Sequence, residues 1–227
     1  MNRGQLVERV GHKLSFDTSA GSDELALLEA WANEGVVDVL TRAKCFVDIG
    51  ELTLSANQKD YRLDNSILAI LERTIETSYT PLTVVSAADM YDYRRGQTAS
   101  SPARFLAAEG SLLMVYPTPT EAQVIRFLFV PRPLPMTDDA HDPSNATYGG
   151  IPSESHRAIE YFMLWQGAEY DDKAIPQKPA EVKALYLDEI REVKKKHRMK
   201  SGRGLSPARV GYPDTHRYIR RNDVYPG

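Results

Sequence analysis

The chain of 227 residues is long enough for one domain, or for one domain with an appendage, if a domain takes about 150 residues. Its 42% hydrophobic and 26% charged residues exclude a globally disordered protein, and its single cysteine, Cys45, excludes internal disulfides and fits a reducing compartment. The net charge of −3 is unevenly spread, because residues 194–227 carry +8 and residues 1–193 carry −11. An acidic body with a basic tail bears on binding partners rather than on fold.

Two helices are predicted at the start of the chain, within residues 3–44. The first has an apolar stripe with a spacing of four, formed by Leu6, Val10 and Leu14. Ser22 is placed to cap the second helix, whose first turn carries the acidic residues Asp23 and Glu24, where the helix dipole favours them.

Beyond Cys45 the hydrophobic residues alternate with a period near two, which predicts β-strands. The candidates after the first alternating run are Ile67–Ile75, Leu82–Val85, Arg104–Ala108, Leu112–Tyr116 and Val124–Val130. Glu109-Gly110 is typical of a hairpin turn, and Ser86 is placed to cap a short helix that ends at Gly96. Residues 45–130 are therefore predicted to form a small antiparallel sheet or sandwich with one helix set into it.

Residues 131–150 form a loop rich in Pro and Asp that is predicted to be solvated. The next segment, SESHRAIEYFMLWQGAEYDD, predicts a helix with apolar residues on nearly every side, which other helices or a neighbouring subunit must bury. We assign Phe162 and Trp165 of this helix a role in subunit packing.

A last helix is predicted after residue 178. Pro179 suits its first turn, and its apolar stripe consists of Val182, Tyr186, Ile190 and Val193.

The predicted fold class is α+β and mainly helical. Helices from residues 3–44 and 152–200 are expected to pack as a bundle, with the small antiparallel β domain of residues 45–130 inserted between them. Residues 1–200 form the body, and residues 201–227 form an extended C-terminal arm.

The potential catalytic and metal-binding residues are sparse. The five His residues lack the two-His, one-Glu spacing of a zinc protease, and one cysteine cannot form a structural zinc site. The densest acidic group, "DDAHD" at residues 138–142, could hold a hard cation, but its Asp-Pro-Ser-Asn context favours a solvated loop. The sequence predicts no enzyme, no metal and no cofactor.

The tail from residue 194 onward, KKKHRMKSGRGLSPARVGYPDTHRYIRRNDVYPG, combines basic residues with large apolar side chains. A solvated helix end explains its first charge run, but solvent gives no reason to keep the apolar residues. We expect them to fill pockets on a protein partner while Arg220 and Arg221 meet acidic rims. The apolar residues of this predicted docking arm are Leu205, Val210, Tyr212, Tyr218, Ile219, Val224 and Tyr225. The alternative is a nucleic-acid-binding accessory protein with a basic arm, because Lys and Arg neutralise phosphates and tyrosines stack on bases.

Five stretches carry a resemblance to a known family. They are the opening helices LVERVGHKL and ELALLEAWANEGVVDVL, the strand and turn region LTLSANQKDYRLDNSILAILERT, the "YPTP" corner in LMVYPTPTEAQVIRFLFVPRP, and IPSESHRAIEYFMLWQGAEY. Together they resemble the head–tail adaptor, or connector, proteins of tailed bacteriophages. The resemblance covers residues 6–200 and contains no catalytic motif.

This resemblance implies a structural protein of the virion neck, assembled in the host cytoplasm. Such adaptors form a ring, usually dodecameric, beneath the portal protein and offer a surface to the next tail or neck component. The ring extends the DNA channel, and the acidic body suits DNA that passes without specific binding, since fixed phosphate contacts would hold it back. No membrane partner is expected, because the longest apolar runs, such as LLMVY, are far shorter than the roughly 20 residues that cross a bilayer, and no signal peptide is recognisable.

Overall fold

A computed structural model describes residues 1–76, 82–95, 103–171 and 175–200. Its helices are α1 (Arg3–Leu14), α2 (Asp23–Ala43), α3 (Ala87–Arg94), α4 (His156–Tyr170) and α5 (Pro179–Lys200). Its strands are β1 (Asp48–Leu54), β2 (Asp60–Arg62), β3 (Ile67–Glu76), β4 (Thr83–Val84), β5 (Phe105–Glu109), β6 (Leu112–Tyr116) and β7 (Gln123–Pro131). The predicted α+β class is confirmed, with helices on both sides of the β region in the sequence.

Side chains at the N-termini of the first two helices satisfy backbone groups that a helix leaves unpaired. Asn2 Oδ1 accepts from the Gln5 amide at 2.9 Å while Gln5 Oε1 accepts from the Asn2 amide at 3.1 Å, which is a capping box. Ser22 accepts from the Leu25 amide at 3.1 Å, as its position in the sequence predicted. These caps fix where each amphipathic helix begins.

Helices α1, α2, α4 and α5, which we call the helical unit, share one apolar core. The stripe predicted on α5 is buried in it, from Val182 to Val193. Glycines allow the helices to approach closely. A Cβ atom at Gly167 of α4 would lie 2.3 Å from Leu14 Cδ1 of α1, and one at Gly35 of α2 would lie 3.1 Å from Ile159 Cγ2. Helix α4 therefore packs closely on α1 and α2 of its own chain.

The strands form a seven-stranded sheet in the order β1-β7-β3-β4-β5-β6-β2, and together with α3 they make up what we call the β unit. All neighbours are antiparallel except β4 and β5, which are parallel. The predicted antiparallel sheet is confirmed at the other five pairs, and this parallel pair is the one departure from it among the described strands. Parallel neighbours need a crossover connection, and α3 lies in the segment that makes it.

The hairpin between β5 and β6 is one residue later than predicted. Glu109 pairs with Leu112, so the turn consists of Gly110 and Ser111, and Gly110 has the positive φ of 58° that such a turn requires.

Helix α3 is capped by Ser86 and ends at Arg94; the predicted stop, Gly96, lies outside the described residues.

Strands β3 and β7 join the two units. Within β7, Ile125 and Phe127 belong to the core of the β unit, whereas Val130 is fully buried in the core of the helical unit. Ala69 of β3 packs against the same helical core. Residues 131–150 leave β7 at this junction and lead to α4.

Candidate interface surfaces

The two residues assigned to subunit packing lie side by side at the contact of α4 with α5. The Phe162 ring meets the Trp165 ring edge-on at 5.7 Å and the Tyr186 ring at 5.7 Å, and Trp165 stacks on Tyr186 at 6.0 Å. Phe162 is 6% exposed, whereas Trp165 is half-buried. The apolar character of α4 is thus used inside the chain, and the subunit-packing role stays a prediction whose accessible member is Trp165.

The exposed side of Trp165 is held by polar groups. Its indole N–H donates to Glu169 Oε1 at 2.7 Å, and Lys183 Nζ lies 4.3 Å from the ring centroid in a cation–π contact. These contacts from α4 and α5 fix the orientation of the ring. An interface that uses Trp165 would therefore meet a positioned aromatic face.

Tyr186 carries its hydroxyl to the surface of α2. The hydroxyl donates to Asp38 Oδ2, which also accepts from Arg42 Nε at 2.7 Å. Burial of the side chain raises the pKa of Tyr186 well above its ordinary value of 10, and the hydrogen bond to Asp38 adds a smaller rise. Tyr186 therefore keeps its proton and links α5 to α2.

An open, mainly apolar groove of about 440 Å³ lies beside this link, between α2 and the loop after β7. We call it the α2 groove. Its lining is Asn33, Glu34, Val36, Val37, Asp38, Thr41, Pro133, Leu134, Pro135 and Phe162. Leu134, in the loop after β7, is 62% exposed, and Glu34, on α2, is also exposed. The groove can receive an apolar side chain next to a basic one.

The Pro-rich loop is mostly exposed, as its composition predicted, but one segment of it is anchored to the helical unit. Met136 is 1% exposed, and its backbone N–H donates to Asn33 Oδ1 at 2.7 Å. Arg3 of α1 reaches the Met136 carbonyl at 3.2 Å and Asp139 at 2.8 Å, and it also pairs with Glu29 at 3.1 Å. These contacts clamp one wall of the α2 groove in place.

The acidic group at residues 138–142 has partners within the protein. Asp139 pairs with Arg3, and Asp142 Oδ1 accepts from the Ser144 amide at 2.8 Å. His141 Nδ1 accepts from the Thr137 amide at 3.1 Å, and its ring stacks on Tyr148 at 4.1 Å. Within the described ranges no three His, Cys, Asp or Glu side chains are grouped to hold a metal ion.

Sequence reasoning missed two buried ionisable side chains on α4. Glu160 is 3% exposed and accepts from Lys13 Nζ, with Arg9 Nε 3.2 Å away. His156 is 1% exposed and its Nε2 lies 3.0 Å from the Ile151 carbonyl oxygen; burial lowers its pKa below 6.5. The spacing of Arg9 and Lys13, four apart on α1, was the available signal for a buried carboxylate opposite them.

The predicted docking arm lies outside the described residues, so its residues stay predictions: Leu205, Val210, Tyr212, Tyr218, Ile219, Arg220, Arg221, Val224 and Tyr225. The same holds for the boundary between body and arm at residue 200.

Comparison with known protein families identifies a family for this chain. The model of the family described as SU10 adaptor protein matches residues 1–211. No curated protein matches the chain. Among the helices of the described chain, none is both long enough and apolar enough to cross a membrane.

Proposed function

Because the chain belongs to the SU10 adaptor protein family, and is therefore a structural adaptor of a bacteriophage and a component of its virion, we propose that it forms a ring on the portal protein at the neck. The ring connects the DNA-filled capsid to the tail and continues the DNA channel. The family match, which spans the body and enters the tail, is the observation that carries this proposal. The helical unit acts as a bundle that holds the β unit in place.

Residues 201–227 are the part that docks on the portal. They contain seven large apolar side chains and five arginines, a composition suited to pockets with acidic rims. An extended segment of this kind adds to a sheet edge through its backbone and selects its partner through alternate side chains. Ordering so many residues is costly, so each arm binds weakly and a ring of arms binds tightly through avidity.

Side-to-side contact between subunits uses the outer face of α4 and α5. Trp165 is half-buried there, and Leu185, next to Tyr186 in the sequence of α5, is 46% exposed. Phe162 supports Trp165 from inside the subunit rather than by direct contact. A template such as the portal is needed because many small interfaces are stable only when several form together.

The body is suited to DNA passage rather than to DNA binding. Residues 1–193 carry a net charge of −11, which opposes phosphate. Affinity for DNA therefore belongs to the basic tail, is independent of sequence, and collapses with salt.

The portal-docking arm is tested against the basic-arm alternative by two matched variants of the full chain. In the first, Tyr212, Tyr218, Ile219 and Tyr225 are changed to Ser, which keeps the charge. In the second, the arginines at 209, 217, 220 and 221 are changed to Gln, which keeps the aromatic residues. Assembly on purified portals is measured by co-sedimentation. We expect the first variant to lose assembly; normal assembly of this variant, with loss in the second, would support the electrostatic alternative.

The ring itself is tested by two-dimensional class averages of portal complexes. We expect one ring of many copies on each portal and fewer complete rings with Trp165→Ala. Tyr91→Ala, which removes an exposed aromatic side chain from the β unit, is the control. One or two copies per portal would contradict the ring.

A further inference from the structure

The α2 groove has the shape and rigidity of a docking site. Its floor is α2, which packs so closely on α4 that a Cβ atom at Gly35 would lie 3.1 Å from Phe162 Cδ1. Its wall is the segment Pro133–Pro135, whose position is fixed by the hydrogen bond of 2.9 Å from the Leu134 amide to the Thr147 carbonyl. Leu134 stands exposed between two prolines. A rigid apolar groove binds with little ordering cost on its own side.

The charge of the groove is acidic where it is open. Glu34 is exposed, and no basic group within the described ranges forms an ion pair with it. Asp38 is the other acid of the lining, and Arg42 and the Tyr186 hydroxyl already bind it. The groove therefore offers one free carboxylate next to apolar surface, which suits an occupant with an arginine beside a large apolar side chain.

We propose that the α2 groove is the docking site for residues 208–227 of the same chain before the adaptor meets the portal. This segment carries four arginines against two aspartates, together with the tyrosines at 212, 218 and 225. Tyrosine rings pack well against proline and leucine side chains, and a neighbouring arginine reaches Glu34. The occupant is thus matched to the groove in both apolar character and charge.

The chain is long enough for this contact. From Tyr186, which touches the groove through Asp38, α5 continues for 14 residues to Lys200, which is about 21 Å at 1.5 Å per residue. An extended chain covers roughly 3.3 Å per residue, so residues 201–207 suffice for the return. These seven residues, SGRGLSP, include Gly202 and Gly204, which permit the reversal.

The tail of the same chain is favoured over that of a second copy. A connection of this length gives an effective concentration in the millimolar range, far above that of free protein. The arm then occupies the groove in the free subunit and leaves it when the portal competes. The proposal shares its arm with the proposed function but does not require the portal for groove docking.

The experiment uses the full chain without portal, with a photoreactive p-benzoylphenylalanine in place of the exposed Leu134. After irradiation, the cross-linked residues are mapped by mass spectrometry. We expect adducts within one chain to residues 208–227, and with Glu34→Lys we expect about a threefold or greater fall in yield, since one exposed charge contact is replaced by repulsion. Glu8→Lys makes the same charge change on the exposed side of α1 and should leave the yield unchanged.

Adducts that join two chains, adducts elsewhere, or none would overturn the proposal. A cross-linking yield that does not respond to Glu34→Lys would overturn the pairing of an arginine of the arm with Glu34.

Limited trypsin digestion of the chain with native Leu134 is the second measurement. Cleavage at residues 217–221 should be faster in Glu34→Lys than in the parent, and equal rates would count against docking.

Portal assembly separates this proposal from the proposed function. Glu34→Lys should assemble on portals at least as well as the parent, because it frees the arm, whereas the Tyr and Ile to Ser variant should lose both activities. If the parent chain docked its arm in the α2 groove but did not assemble on portals, only the proposed function would be refuted. If Glu34→Lys failed to assemble on portals, the proposal that the groove holds the arm only until the portal competes for it would be wrong.

Discussion

The helical unit and the β unit bury their apolar residues in different ways. The four helices enclose one continuous core that also receives Val130 of β7 and Met136 of the loop. The β unit divides its buried residues between two smaller clusters, and in its edge strand β1 only Leu54 is buried. The comparison teaches that stability is concentrated in the helical unit, while the strands leave much of their surface open.

The largest expected effect comes from truncating a buried aromatic ring of the helical core. Phe162→Ala should lower the free energy of unfolding by about 3–5 kcal/mol, because it removes a ring that is 6% exposed and contacts Trp165 and Tyr186. Phe129→Ala, at a half-buried ring of β7 that is tilted against the Phe127 ring with centroids 5.9 Å apart, should cost about 1–2 kcal/mol. Urea unfolding of both variants measures the difference, and equal losses would break the comparison.

A smaller effect is expected from adding one methyl group at a helix contact. Gly167→Ala places a Cβ atom against Leu14, which is 1% exposed and cannot move aside. The clash should cost about 1–3 kcal/mol, which exceeds the roughly 0.5–1 kcal/mol that Ala gains over Gly in a helix.

The control for this substitution is Gly110 in the β5–β6 turn. A Cβ atom there meets nothing within 4 Å, so only the positive φ opposes a side chain. Gly110→Asn should therefore be milder than Gly110→Ala, since Asn tolerates this conformation. If Gly167→Ala proved stabilising in thermal unfolding, the close contact of α1 with α4 would be wrong.

The next prediction concerns pH and is specific to the helical unit. Burial lowers the pKa of His156 below 6.5, although the hydrogen bond to Ile151 and the carboxylate of Asp142 at 3.8 Å act in the opposite direction. The unfolded chain binds the proton more readily than the folded one, so this contribution to stability is present above pH 6.5 and is lost as pH falls below it.

Urea unfolding at pH 7.5 and pH 5.5 measures the effect. His156→Asn should show a smaller loss between these pH values than the parent chain. His12→Asn, at an exposed position of α1, should retain the loss of the parent. An unchanged pH dependence in His156→Asn would mean that other groups cause it.

The smallest effect is expected at the surface of the β unit. Glu51 of β1 and Arg126 of β7 form an ion pair at 2.5 Å, but their side chains are 54% and 43% exposed. Glu51→Gln should cost less than about 1 kcal/mol, and the cost should shrink further in high salt. A loss as large as that of Gly167→Ala would show that the edge of the sheet contributes more than its exposure suggests.

Local features of this protein could be predicted from its sequence. The apolar stripe of α1, the Ser22 and Ser86 caps, strand β6 and the stripe on α5 all depend on residues close together in the chain, and each was confirmed. Hydrophobic period and capping chemistry suffice for such features.

Features that depend on distant partners were missed. The parallel pairing of β4 with β5 follows from the path of the chain through α3, which alternation does not encode. The Pro-rich loop is ordered because Arg3 and Asn33, more than 100 residues away, bind it. Composition describes only the local preference of such a segment, so it predicted the exposed positions but not the contacts that bury Met136.

The helical unit is discontinuous in sequence, which has a consequence for synthesis of the chain. Helices α1 and α2 are complete at residue 43, but their partner α4 begins only at residue 156. A ribosome adding 5–20 residues per second takes roughly 5–20 s over the intervening segment. During that interval α1 and α2 can pack only on each other, and the apolar residues that contact α4 and α5 have no partner from their own chain. We therefore expect nascent chains stalled within the β unit to be bound by chaperones and those released past residue 200 to be free of them.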